Sequence, residues 1–148
     1  MLPKWHVLLG IIFTAIIWIF SPQISAIYLI LIFASSVLMD FDHYAISVLK
    51  TGKISLFNSF DYHKKQGEIE DKEIKKGLKK KGDFHIFHTV EFHLLVGMLI
   101  LLWAGFFYIF IGMIFHSMLD LISLIHAGKV HRREYSLISW MINQKKKL

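Results

Sequence analysis

The chain has 148 residues, of which 55% are hydrophobic and 19% charged, with no cysteine and a formal net charge of +6. The length suits a single domain, and the apolar share exceeds the roughly 45–50% of ordinary soluble domains. Without cysteine the chain can form neither disulfides nor thiolate metal sites, so a metal site must use His, Asp or Glu. In so apolar a chain, the positive charge favours membrane lipids as partners, and we expect no nucleic acid binding.

Two apolar segments open the chain, at residues 5–20 and 24–39. Each would form about 24 Å of helix at 1.5 Å per residue, which flanking residues can extend to the thickness of a membrane. Only Ser21-Pro22-Gln23 separates them, so they predict a helical hairpin. Lys4, the first segment and Ser25-Ala26 loosely resemble a signal peptide, but a second apolar segment follows at once, and we favour a retained helix.

The middle of the chain is polar. Residues 61–83 mix acidic and basic side chains and contain Gly67, Gly77 and Gly82, which predicts a mobile, solvated insertion. Residues 44–60 combine aliphatic and aromatic side chains with few charges, a composition typical of a segment in the membrane interface. The insertion therefore separates two pairs of apolar helices.

The apolar stretch at residues 84–126 is too long for one membrane-crossing helix. Ala104-Gly105 is the expected turn, giving helices at 84–103 and 106–127, and a basic tail follows at 128–148. The predicted fold is all-α: residues 1–148 form a single domain, an integral membrane four-helix bundle with up-down topology. The polar insertion lies between its second and third helices, on the cytoplasmic side.

The basic residues determine this predicted orientation. All 17 Lys and Arg residues fall on one side of the bundle, and the turns at 21–23 and 104–105 carry no charge. The positive-inside rule makes the charged side cytoplasmic. We therefore predict a multi-pass protein of the cell (inner) membrane with both termini in the cytoplasm.

Ionisable side chains gather at the cytoplasmic end of all the predicted helices. His116 and Asp120 are four residues apart, so both point from one helix face. Mixed imidazole and carboxylate groups bind zinc and other divalent metals, and such groups are costly at membrane depth without a function. The predicted ligands of one or two divalent ions, preferably zinc, are His6, Asp40, Asp42, His43, His88, His93, His116 and Asp120. Glu91, between two of these histidines, is the predicted general base.

Simpler roles compete with metal binding at several of these positions. Asp40 and Asp42 could cap the second helix, although an acid at a helix C-terminus opposes the helix dipole. His116 and Asp120 could form an interhelical hydrogen bond, and Glu91 could stabilise a helix start. The remaining histidines are interpreted as surface residues: His63, His85, His126 and His131.

Three motifs resemble those of the YdjM-like family of membrane-bound metal-dependent hydrolases. Val37-Leu38-Met39-Asp40-Phe41-Asp42-His43 is similar to LLPDIDH, the segment 88–93 has the spacing of HRGxTHS, and the segment 112–120 is similar to GYxSHLLLD. The resemblance covers most of the chain outside the insertion and implies that the matching His and Asp residues bind metal. Thr89-Val90 replaces the Arg-Gly of the second motif, Phe92 replaces its Thr, and Met39 replaces the Pro of the first. No substrate role of that arginine therefore carries over.

The predicted function is a membrane-embedded, metal-dependent hydrolase that acts at the cytoplasmic leaflet on an amphiphilic or lipid substrate, such as a phosphoester. The first alternative is a non-enzymatic membrane protein that binds or moves a divalent metal ion. Haem binding by two histidines is the second alternative, and it leaves the carboxylates without a role.

Overall fold

The computed structural model describes residues 3–145, and within that range all regular secondary structure is helical, which confirms the predicted all-α class. The helices are α1 (Pro3–Phe20), α2 (Ala26–Leu38), α3 (Phe41–Thr51), α4 (Leu56–Lys75), α5 (Val90–Leu99), α6 (Gly105–His126) and α7 (Leu137–Lys145). Short 3₁₀ turns lie at Ile86–His88 and Val130–Arg132. The first two residues of the chain, and the last three of the predicted basic tail at 128–148, lie outside the described range.

Helix α6 contacts α1, α2 and α5 and lies at the centre of the packing. Glycine permits its close approach to α2, because a Cβ at Gly112 would overlap Ser35 Oγ and the carbonyl oxygen of Ile32. Gly10 of α1 has the same role against α2, since a Cβ there would lie 2.6 Å from Ser36 Oγ. Small residues at such contacts let helix backbones approach each other, as is common between helices in membranes. These contacts hold α1, α2 and α6 together.

The helices of two predicted apolar segments are shorter than the segments themselves. The segment at 24–39 forms α2 only to Leu38, and Met39 and Asp40 make a turn before α3 begins at Phe41. The segment at 84–103 is α-helical only at Val90–Leu99. Thr89 has an extended backbone there, and its Oγ1 accepts the Phe92 N–H as an N-cap. Both breaks lie next to residues with carboxylate or imidazole side chains.

The predicted mobile insertion at 61–83 contains most of α4. Ion pairs tie this helix to the segment after α6, where Lys129 Nζ lies 2.7 Å from Asp71 Oδ1. Arg132 Nη1 donates a hydrogen bond to Glu73 Oε2 at 2.8 Å, joining residues 59 positions apart in the chain. Composition alone predicts a solvated, mobile loop at 61–83. In the fold, the charged side chains of α4 in this region pair with the segment after α6.

The burial pattern is the reverse of that in a soluble domain. Among the described residues, His6, His116 and Asp120 are almost fully buried, whereas Phe20 and Leu101 are 81% and 90% exposed. Two helical stretches, Ala26–Thr51 and Gly105–His126, are long and apolar enough to cross a membrane, and the apolar helices α1 and α5 are shorter. An exposed apolar surface of this extent marks a contact with a membrane or another protein.

Candidate metal centre

The structure gathers imidazole and carboxylate side chains from four parts of the chain into one buried cluster. His6 comes from α1, and Asp40 comes from the turn between α2 and α3. Asp42 and His43 lie in the first turn of α3, His88 lies in the first 3₁₀ turn, and His116 and Asp120 lie in α6. Three overlapping sets of these residues, together with His85, hold their ligand atoms within 4.8 Å of one another, close enough to hold a metal ion.

The first set consists of His6, Asp40, His116 and Asp120. His6 Nε2 lies 3.2 Å from Asp120 Oδ1, and His116 Nε2 lies 3.5 Å from Asp40 Oδ1. Ligand atoms around a tetrahedral zinc ion stand about 3.3 Å apart, as follows from zinc–nitrogen bonds of roughly 2.0–2.1 Å. The spacing of these side chains therefore suits a common ion.

The second set consists of Asp42, His43 and His85. Asp42 Oδ1 lies 3.7 Å from His85 Nδ1, and among the described residues neither atom has a hydrogen-bond partner although both are buried. Buried polar atoms without a partner are rare and call for an explanation such as a bound ion. A third set, Asp40, His43, His88 and Asp120, shares residues with both others. The three sets thus form one continuous group of ligand atoms, in which His43 Nε2 lies 3.6 Å from Asp40 Oδ1.

Hydrogen bonds to Nδ1 set the orientation of the two central imidazoles. His116 Nδ1 donates to the carbonyl oxygen of Ser36, in the last turn of α2, at 2.8 Å. His88 Nδ1 lies 3.2 Å from Asp42 Oδ2, which also accepts the Phe87 N–H at 3.0 Å. Partners of this kind hold metal-binding histidines in the tautomer with a free Nε2. This part of the site is therefore oriented without the ion.

The two Nε2 atoms then face each other. His88 Nε2 lies 3.2 Å from His116 Nε2 and 3.5 Å from Asp120 Oδ2. With both Nδ1 atoms protonated, two nitrogen lone pairs and a carboxylate oxygen point into the same space, which is unfavourable unless a cation lies there. In the part of the chain that the structure describes, Nδ1 of the buried His6 also lacks a hydrogen-bond partner, while its Nε2 faces Asp120. The donor set therefore fits a divalent metal ion.

Two of the residues predicted for the site lie apart from this cluster. His93 Nδ1 donates to the Thr89 carbonyl at 2.8 Å, and its Nε2 accepts from Ser117 Oγ at 2.9 Å, so both nitrogens serve the contact between α5 and α6. The extended backbone of Thr89 divides the 3₁₀ turn of His88 from α5, so the two side chains belong to separate elements. Glu91 accepts from Ser136 Oγ at 2.7 Å and from the Leu137 N–H at 2.9 Å. Its carboxylate caps α7 and is not oriented toward the cluster.

His85, interpreted from the sequence as a surface residue, belongs to the second ligand set and is 8% exposed. Its ring packs against that of His43, with the centroids 3.7 Å apart. Burial, the largest influence, lowers the pKa of His85 to about 4, although the Asp42 carboxylate acts in the opposite direction. The ring is therefore neutral at physiological pH, the form that binds metal. Its three-residue spacing from His88 is the signal in the sequence that points to this role.

Arg133 is a second residue at the site that was not predicted from the sequence. Its Nη2 donates to Asp120 Oδ2 at 2.8 Å, and its side chain is 12% exposed. Arg133 also lines a cleft of about 1430 Å³. The cleft lies between α4 and the residues of α2 and α3 that face it. Asp40, His43 and His85 line the same cleft. The cluster is therefore buried on the bundle side and open toward this cleft.

Comparisons of the chain with protein-family models, with curated proteins and with solved structures found no match. The resemblance of its three motifs to the YdjM-like family stays a prediction, and the function rests on the geometry of the site.

Proposed function

We propose that this protein is a membrane-embedded, metal-dependent hydrolase whose metal centre faces the cytoplasm. The observation that carries the proposal is the group of three overlapping ligand sets, linked through Asp40, His43 and Asp120, whose side chains are mostly buried and which open into a cleft. A purely structural cluster would pair these groups with one another and with backbone atoms, yet several of their buried atoms have no hydrogen-bond partner among the described residues.

The chemistry of the donor set supports hydrolysis. Nitrogen and oxygen donors without thiolates suit zinc and similar divalent ions, which supply Lewis acidity and lower the pKa of a bound water from 15.7 to about 7. The chain itself contributes the orientation of the ligands, through the Ser36 carbonyl and the Asp42 carboxylate. Asp40, which is 20% exposed and lies between the sets, also touches the cleft, so it is placed to accept a proton from a nucleophilic water.

The exposed apolar side chains of α1, α2, α5 and α6 support a four-helix membrane domain. The placement of all 17 Lys and Arg residues outside the apolar segments supports a cytoplasmic location for the centre, for both termini and for α4. An amphiphile of the inner leaflet would then meet the site at the membrane surface. Protease added outside intact cells should leave residues 64–81 uncut in this orientation.

The distribution of charge favours an enzyme over a protein that moves metal ions. Residues 7–39 and 94–115 contain no Asp, Glu, Lys, Arg or His, so the outer half of the apolar helices offers no ionisable relay. Ion pathways through membranes are lined by such residues. The sequence therefore offers no chain of ionisable side chains from the cluster to the opposite end of the apolar helices.

The test combines metal analysis with turnover. We expect the purified protein to contain zinc or a similar ion, and to hydrolyse members of a panel of lipid phosphates and related esters in a chelator-sensitive manner. His116→Ala should lose both metal and activity, while His126→Ala, on the exposed end of α6, should keep both. A metal-loaded protein that turns over no ester, and that passes zinc across liposomes, would contradict the proposal.

A further inference from the structure

We propose that Arg133 binds the phosphate group of the substrate and that the cleft beneath α4 holds its apolar chain, so that the substrate is a single-chain or lipid phosphate monoester. This inference rests on the proposed function and deepens it, because it names the chemical class that the site accepts. It draws on the position of Arg133, the charge of the loaded centre and the lining of the cleft.

The positively charged guanidinium of Arg133 lies beside the proposed metal site. Its guanidinium donates to Asp120, a member of the first ligand set, at 2.8 Å. A guanidinium carries five N–H donors in a planar fork that matches phosphate oxygens, so one such bond leaves it able to bind a second anion. An arginine next to a loaded metal centre is unfavourable unless an anion shares the space, because like charges at such distances repel.

The formal charges of the centre indicate which anion this is. The ligand sets contain three carboxylates, from Asp40, Asp42 and Asp120, and the histidines are neutral when they bind metal. With two divalent ions bound, their charges and that of Arg133 would exceed the charge of these carboxylates by two. A phosphate monoester dianion balances that excess, whereas a phosphodiester or a carboxylic ester does not.

The cleft supplies a place for the rest of such a molecule. Beside Asp40 and His43 it is lined by apolar side chains of α2, α3 and α4, among them Leu38, Phe41 and Phe60. These three side chains are 62%, 57% and 54% exposed, so they offer surface that an alkyl chain would remove from water. Phe57 and Leu49 lie on the same two helices, α4 and α3, and are more than 80% exposed. The surface therefore runs from the metal centre toward the region that we assign to the membrane interface.

Arg132, the neighbouring cation, has a different role. Its Nη1 donates to Glu73 at 2.8 Å and to the Lys80 carbonyl at 3.1 Å, which fixes α4 as the roof of the cleft. Lys50 lines the cleft too, but its ion pair is with Asp83, at 3.5 Å, and not with a residue of the ligand sets. Lys53, which is exposed and does not belong to the lining of the cleft, is therefore the control for a change at Arg133.

The first experiment measures equilibrium binding of inorganic phosphate to the zinc-loaded protein in nanodiscs. Arg133→Gln should weaken phosphate binding by about tenfold or more, the loss expected for a hydrogen-bonded charge pair. Arg133→Lys should recover part of that loss, and Lys53→Gln should stay within about twofold of the unchanged protein, as expected for an exposed charge. Zinc content should be equal in all four proteins. Equal phosphate affinity in the Arg133→Gln and unchanged proteins would overturn the role of Arg133.

The second experiment measures hydrolysis of butyl, hexyl and octyl phosphate. KM should fall by up to about fourfold for each added methylene that leaves water, and Arg133→Gln should raise KM more than it lowers kcat. A KM that does not depend on chain length would overturn the role of the cleft. Chelator-sensitive hydrolysis of carboxylic esters with no hydrolysis of these monoesters would overturn the substrate class while leaving the proposed hydrolase in place. If no ester is hydrolysed, the proposed function fails, and the phosphate-binding measurement alone decides the role of Arg133.

Discussion

Gly112 lies where the backbones of α2 and α6 meet, four residues before the predicted ligand His116, and its replacement tests the link between helix packing and the site. A Cβ at this position would come closer than 3.0 Å to Ser35 Oγ and to the Ile32 carbonyl oxygen, while ordinary contacts begin at 3.4 Å. One of these atoms belongs to the backbone, so rotation of a side chain cannot relieve the overlap. Gly112→Ala must therefore separate the two helices by more than about half an ångström.

We expect Gly112→Ala to destabilise the protein by about 1–3 kcal/mol, the usual cost of overpacking, which corresponds to a melting temperature lower by about 2–12 °C. The shift also moves His116 relative to the Ser36 carbonyl that orients it, and loss of such support typically weakens metal binding about 10- to 100-fold. Thermal unfolding in detergent and zinc competition against a chromophoric chelator measure the two effects separately.

Gly97→Ala in α5 is the matched control. A Cβ there would meet only Phe110 Cε2, at 3.8 Å, an ordinary contact. Alanine is also a better helix former than glycine by roughly 0.8–1.0 kcal/mol. This variant should be as stable as the unchanged protein or slightly more so, with the same zinc affinity. If Gly112→Ala also left stability and zinc affinity unchanged, the close approach of α2 and α6 would not hold the site together.

Three further predictions concern metal removal and the residues outside the cluster. Zinc at 100 times its dissociation constant should stabilise the folded protein by about 2.7 kcal/mol, so chelation should lower the melting temperature. An unchanged melting temperature after chelation would argue against an ion in this cluster. His93→Ala should cost about 1–3 kcal/mol in stability through its two hydrogen bonds while zinc stoichiometry stays constant; loss of zinc would place His93 in the site after all. Glu91→Gln should speed proteolysis at α7 and leave zinc binding and activity intact, whereas a large fall in kcat at unchanged proteolysis would support the base role predicted from the sequence.

The sequence is most informative about the long apolar helices and about the residue types of the cluster. α1 and α6 follow their apolar segments closely, because neither segment contains proline in its interior. Local pattern is a poor guide where distant residues decide the structure. The ion pair of Arg132 with Glu73 joins α4 to the segment after α6, so composition alone predicts a mobile insertion there.

The same limit explains the differences at the site. His93 lies within one predicted helix together with His88, and only the N-cap at Thr89 divides them into separate elements. From the sequence, His85 is predicted to be a surface residue. In the fold, α3 packs beside it and its ring contacts that of His43. Arg133 belongs to a basic tail in the sequence, and its contact with Asp120 depends on the turn Val130–Arg132, which brings the chain back over α6.

The break between α2 and α3 links the architecture of the protein to its chemistry. A helix that continued straight through Met39 would carry Asp40 away from His116, and it would engage the Ser36 carbonyl in its own backbone ladder. A single local rearrangement would then remove both a ligand and the acceptor that orients another. We therefore expect related chains to keep or lose these features together: where the carboxylates at positions 40 and 42 are missing, the second apolar segment should form one uninterrupted helix, and the histidine of α6 should be free to change.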